Sequence, residues 1–297
     1  MEEGAGHPAR NERIQQRAAT GSAARQGGRS RKRGTASFHE PSSNCTKGRY
    51  NGPTNHPSLE RTAVSRPLGV TAFSLKIAAI VGMTANHIAN VFGTLLPAGS
   101  MVALYSLGGL TFPIMAYLLC EGYRHTSNVR RYAMRLATFA AVSQVPFSLL
   151  FGATGNVLVT LLIGLGLLWA TDHIPNVALR VLTIAAGITL SSLCDWGIIG
   201  PIVILLFWHL NDRPRGSALT MLVAGLALGL PALSWAVTDP SALSLGVLGY
   251  YTAGFGLATI LIAHYNGQRG RPMKWFFYAY YPAHLLALWI AKFLLGL

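Results

Sequence analysis

The stretch LGGLTFPIMAYLLCEGYRHTSNVRRYAMRLATFAAVSQVPF, residues 107–147, decides the fold. Two long apolar runs flank a short basic loop. The first run ends in Glu121, Arg124 and His125, and the next opens on Arg131 and Arg135. Ionisable groups at the end of a membrane-length apolar run cost free energy unless they have a partner or a function. The stretch therefore predicts a membrane protein with several spans and a polar site at the seam between two of them.

Apolar runs near 20 residues recur outward from this stretch, from about residue 71 to the end, each close to the length that crosses a hydrocarbon core. The predicted spans are 73–95, 101–122, 133–151, 155–171, 176–193, 197–211, 217–236, 242–264 and 275–295. The expected fold class is all-α, a polytopic membrane helix bundle of about nine transmembrane helices. Composition agrees: 51% of the 297 residues are hydrophobic and only 11% charged, with a mean hydropathy of +0.39. A soluble domain carries about a quarter charged residues. No repeat of fixed period is visible.

The basic residues order the spans. Arg124, Arg130, Arg131 and Arg135 cluster after the second, Arg213 and Arg215 follow the sixth, and Arg269, Arg271 and Lys274 follow the eighth. The loops near 96–100, 152–155, 194–196 and 237–241 hold no Lys or Arg. This alternation predicts a multi-pass protein with its N-terminus cytoplasmic and, for nine spans, its C-terminus outside.

Residues 1–66 are a different material. They carry 12 of the 24 basic residues and 5 of the 10 acidic ones, with little to form a core, so they read as a disordered basic tail. Its run Arg29-Ser30-Arg31-Lys32-Arg33 could meet anionic lipid head groups. Residues 67–297 form the transmembrane domain. No nucleic-acid-binding motif accompanies the charge, so no nucleic-acid partner is expected. Cys45, Cys120 and Cys194 are too scattered for a metal site or a disulfide framework, and no metal is expected.

Within the spans, Lys76, Met83, His87 and Asn90 share one helical face, with Asn86 beside them. An imidazole as deep as that of His87 should face the bundle interior, as a general base or as an interhelical hydrogen bond. Glu121 with Arg124 and His125 at i+3 and i+4 forms a local ion network, either functional or an ordinary helix-end pair. Asp195 lies near the outer interface, where hydration alone would account for it. Trp275, Tyr278 and Tyr281 fit an interfacial belt, and His284 is a second intramembrane histidine.

Taken together, the blocks LKIAAIVGMTANHIANVF, LTFPIMAYLLCEGYRHT, RRYAMRLATFAAVSQVPF, NVLVTLLIGLGLL, DWGIIGPIVILLFW and KWFFYAYYPAHLLALWI resemble the TraX family, a group of membrane proteins associated with N-acetylation of conjugative pilin and including TrbP-like conjugal transfer proteins. The resemblance covers most of residues 75–295. It implies a membrane N-acetyltransferase that takes the acetyl group from acetyl-CoA, with a pilin subunit as acceptor and the lipid bilayer as surroundings. His87 and Glu121 are then the expected catalytic residues. Lys76, Asn86, Asn90, Arg124, His125, Arg135, Asp195, Tyr281 and His284 are the expected donor- and substrate-binding residues. Asn86-His87 stands where the family usually has Asp-His, and Gln144 and Ser148 stand where it has Glu and Asp. A non-catalytic pilus assembly factor and a small-solute or proton transporter are the alternatives.

Overall fold

The computed structural model describes residues 69–210 and 215–297. The expected disordered tail, its lipid contact, the domain boundary at residue 66 and Arg213 lie outside the described residues. Among the described residues the chain is helical, with no strand beyond two isolated bridges.

The helices are α1 (Ala72–Phe92), α2 (Ala98–Gly108), α3 (Thr111–His125), α4 (Val129–Phe151), α5 (Val157–His173), α6 (Val177–Leu190), α7 (Ile199–Leu210), α8 (Gly216–Thr238), α9 (Ala242–Gly249), α10 (Phe255–Ala263) and α11 (Lys274–Leu294). Among the described residues, five apolar segments are long enough to cross a membrane: Ala72–Leu95, Ala98–His125, Val129–Phe151, Gly216–Thr238 and Ala242–Ala263. Shorter apolar helices and α11 complete the set, so the chain is a multi-pass membrane protein. The predicted second and eighth spans are each broken. The second turns at Gly109-Leu110 between α2 and α3, and the eighth passes through a π-helical turn, Tyr250–Gly254, between α9 and α10.

Polar side chains start several of the helices. Thr71 accepts from Ser74 N in α1, Asn128 from Arg131 N in α4, Asn156 from Leu158 N in α5 and Asn176 from Leu179 N in α6. Each satisfies an N–H that the first turn leaves without a partner. Ser241 and Ser244 form a reciprocal capping box on α9.

Helix α3 is central and packs on α1, α5, α7 and α10. Its Phe112, Ile114 and Ala116 are fully buried, and Phe112 stacks on Trp196 at 3.9 Å between ring centroids. Helix α6 is peripheral, with no buried residue. Its Val181, Leu182 and Leu190 are exposed, as suits side chains that meet lipid.

The breaks in both long spans meet. A Cβ on Gly109 would collide with the carbonyl of Tyr250, and one on Gly254 would stand 2.7 Å from the Gly109 Cα. The obstructing atoms are backbone, which cannot swing aside. Gly254→Ala should therefore destabilise the bundle by about 1–3 kcal/mol, the usual cost of overpacking. Detergent-solubilised protein should melt at lower temperature, and an unchanged melting point would contradict this packing.

Helices α1 and α11 are parallel neighbours: Phe73 meets Phe277, Thr84 meets Tyr280 and His87 meets His284. The segment after α10 ties down the start of α1. Val70 N donates to His264 O, Ala72 N to Gln268 O and Phe73 N to Arg269 O. Gly270, at φ +69° and with Thr71 2.8 Å from any Cβ, lets the chain double back there. The ends of α3, α5, α7 and α10 and the starts of α1, α4, α6, α8 and α11 share this end of the bundle. Among the described residues, Arg124, Arg130, Arg131, Arg180, Arg215, Arg269 and Arg271 gather here. The opposite end holds Asp195, Asp239 and Lys292.

Candidate functional site

A cavity of about 570 Å³ opens among α1, α3, α4, α5, α11 and the segment after α10. That volume falls within the range of about 300–1,000 Å³ typical of small-molecule sites. Helix α1 contributes Ala72, Lys76, Ala79, Ile80 and Met83 at helical spacing. Helix α3 adds Glu121 and His125, α4 adds Tyr132 and Arg135, and α11 adds Phe277, Tyr278 and Tyr281. Tyr265 and Arg269 close the rim. The mouth is cationic and the depth apolar.

Each charged group in the cavity has a defined setting. Lys76 lies 5.4 Å above the Phe277 ring and Arg135 lies 5.6 Å from the Tyr132 ring, both cation–π distances. Arg135 Nε is buried with no hydrogen-bond partner. Arg124 donates to Glu121 at 3.3 Å, and His125 Nε2 stands 3.7 Å from the other carboxylate oxygen. The expected ion network is thus present. Arg124 also covers the Trp208 ring, which leaves it beside the cavity wall and out of its lining. Burial, with Glu121 close by, pushes the Tyr265 phenol above its ordinary pKa.

Beyond Met83, which lines both spaces, lies a small cleft of about 20 Å³ lined by Asn86, His87, Thr111, Val157, Asp195, Trp196 and Tyr250. His87 and His284 meet here, with His87 Nδ1 2.8 Å from His284 Nε2. The other ring nitrogen, His284 Nδ1, is 2.9 Å from the carbonyl oxygen of Tyr280. A carbonyl can only accept, so His284 Nδ1 carries a proton and donates. In the neutral ring His284 Nε2 is then bare, and His87 Nδ1 donates to it. The proton on Nδ1 leaves His87 Nε2 with a free lone pair. The same logic orders the neighbouring contact. Thr84 Oγ1 donates to Ile80 O at 2.9 Å, so the Tyr280 hydroxyl donates to Thr84 at 2.7 Å.

Asn90 shares the α1 face but does not enter the site. Its amide donates to Asn86 O and Oδ1, and its oxygen accepts from Tyr105. Tyr278 and Tyr281, read as belt residues, line the cavity, whereas Trp275 is exposed. Asp195 keeps an exposed edge yet is walled by the cleft, and this desolvation pushes its carboxyl up to about 6. Sequence reasoning missed Thr84, Tyr132, Trp196, Tyr250, Tyr265, Phe277 and Tyr280, and read Arg269 only for topology. The one available signal was the i, i+4 pair Tyr280 and His284 opposite the i, i+3 pair Thr84 and His87.

Gln144 is committed elsewhere. Its oxygen accepts from Asn156 N and Nδ2 at 3.1 and 2.9 Å, while its amide donates to Thr154 O at 2.7 Å and Ser148 Oγ at 2.9 Å. Asn156 Nδ2 also donates to Ala140 O. This α4–α5 staple uses both ends of an amide, and a carboxylate could not donate. Gln144→Glu should cost about 1–3 kcal/mol by facing a charge to the Thr154 carbonyl. Thermal unfolding of the purified variant measures this, and equal stability would show that the staple is dispensable.

The family described as TraX protein matches residues 72–292. The chain belongs to the TraX family. The match takes in the whole cavity and the His87–His284 pair. The chain is similar to a protein of Dichelobacter nodosus named "Probable fimbrial assembly protein FimC, serogroup H1". The two are 30% identical over 249 residues, covering 78% of this TraX-family chain and 100% of the relative. No solved structure matches.

Proposed function

We propose that this TraX-family chain transfers an acetyl group from acetyl-CoA to the N-terminal amine of a pilin subunit, with His87 as general base. The observation that carries the reading is the ordered relay from His87 through His284 to the Tyr280 carbonyl. It leaves a bare nitrogen on a histidine that lines a cleft adjoining a cavity large enough for a small-molecule donor.

In this reading Lys76, Arg135 and Arg269 attract the donor's phosphates, and the unpartnered Arg135 Nε supplies a hydrogen-bond donor. Glu121 holds Arg124 and His125 at the rim. The apolar wall past Leu158 and Leu161 guides the thioester toward Met83. His87 Nε2 takes one proton from the acceptor ammonium and frees the lone pair of its nitrogen, which then bonds to the thioester carbon. The carbon–sulfur bond breaks, and the thiolate leaves with the second proton that the nitrogen sheds. The basic end of the bundle faces the cytoplasm of a bacterial inner membrane, as the positive-inside rule directs, and so meets the acetyl-CoA pool.

A second reading, assembly without catalysis, draws support from the printed name of the Dichelobacter relative. The two separate on one comparison: the intact mass of a pilin co-expressed with and without the chain. A gain of one acetyl group only when the chain is present supports transfer. Identical masses with restored pilus assembly support the assembly reading.

A further inference from the structure

The donor cavity and the His87 cleft differ in charge. Cations rim the cavity at one end of the bundle. The cleft, reached through the exposed edge of Asp195 at the opposite end, is lined by no basic group beyond His87. A cationic amine entering by the first route meets repulsion from Lys76, Arg135 and Arg269. By the second it meets attraction.

We infer that the cleft formed by Asn86, His87, Asp195, Trp196 and Tyr250 is a binding pocket for an unsubstituted primary ammonium group, with Asp195 as its counter-ion. This deepens the proposed acetyl transfer and rests on that reading for its role, since it assigns the acceptor's entry to the end opposite the donor.

Three observations support the pocket. The Asp195 carboxylate has no side-chain hydrogen bond or ion pair among the described residues, whereas Glu121 is held by Arg124 and Asp172 by Tyr123. Its backbone is fixed, because Asp195 N donates to Gly155 O at 2.7 Å and Gly155 N to Leu193 O at 2.9 Å. Carboxylate, two aromatic walls and an acceptor nitrogen together make the surroundings that recognise ammonium, by charge, by cation–π contact and by hydrogen bond. The volume of about 20 Å³ admits a head of about the size of one water. An acetylated nitrogen carries no charge to pair with Asp195.

The groups facing Asp195 are His87 from α1, Tyr250 and Tyr251 from the π-helical turn, Tyr281 from α11 and Cys194 beside it. Asp195 is ionised above about pH 6, so binding weakens as pH falls through that value and the carboxylate is neutralised.

The test uses the purified full chain in nanodiscs and isothermal titration. The probes are a tetra-alanine peptide with a free N-terminus, its N-acetylated form, and ethylammonium. The free-amine peptide should bind at least tenfold tighter than the acetylated one. Asp195→Asn should abolish that preference, while Asp195→Glu should keep part of it, with both variants eluting as folded protein. Competition by ethylammonium as strong as the peptide's would identify a small free amine as the ligand. Weaker competition would identify a peptide N-terminus. Equal binding of free and acetylated peptide, or an unchanged preference in Asp195→Asn, overturns the pocket. Because binding is read without turnover, ammonium selectivity can persist even if no acetylated pilin is ever found.

Discussion

His87→Ala should reduce acetyl transfer by about 100- to 10,000-fold, the usual contribution of a general base, at near-normal membrane abundance. The two effects separate because they differ in size. A single interhelical hydrogen bond contributes only about 0.6 kcal/mol on average, so losing the bond to His284 leaves the bundle folded. Thr84–Tyr280 still joins α1 to α11, and Phe277 still packs on Phe73. Transfer normalised to protein level is the measurement. A loss confined to abundance would make His87 structural.

His284→Ala should cost about 100-fold in kcat with little change in KM. His284 does not line the cavity, so donor binding should persist. What is lost is the acceptor for the His87 Nδ1 proton. The ring is then free to rotate or to carry its proton on Nε2, which presents the wrong tautomer. Misplacing a catalytic tautomer costs up to about 10,000-fold in the serine proteases; the present site retains Phe151, 5.2 Å from the His87 ring, as a partial restraint. His284→Gln should recover part of the rate, since its carbonyl oxygen can accept from His87 Nδ1. Equal loss in Ala and Gln variants, or a rise in KM alone, would contradict a positioning role.

The helices were legible because burial and lipid contact both demand apolar runs of a set length. The ion network of Glu121, Arg124 and His125 was legible because its members are three and four residues apart on one helix. The breaks at Gly109 and at Tyr250–Gly254 were not, because glycine-to-glycine contact between two spans leaves no local signature. The His87–His284 bond joins residues 197 apart in sequence, and nothing near either one announces the other. Asn90 shows the limit of periodicity from the other side. Periodicity placed it on the His87 face, but at the end of α1 that face turns toward Tyr105 on α2. Gln144 stood out as a departure from the family pattern, yet only its four hydrogen bonds explain why an amide fits there.

Asn86, not a carboxylate, precedes His87 in the chain. With Asn86 in that position, His284 and the Tyr280 carbonyl fix the His87 tautomer without a carboxylate. Asp195 supplies negative charge to the same cleft from a different loop.

The most direct measurement is the N-terminal mass of a pilin co-expressed with the wild-type chain or with His87→Ala at matched membrane levels. The account requires an acetylated N-terminus with the wild type and a free amine with the variant. Equal acetylation by both would contradict it.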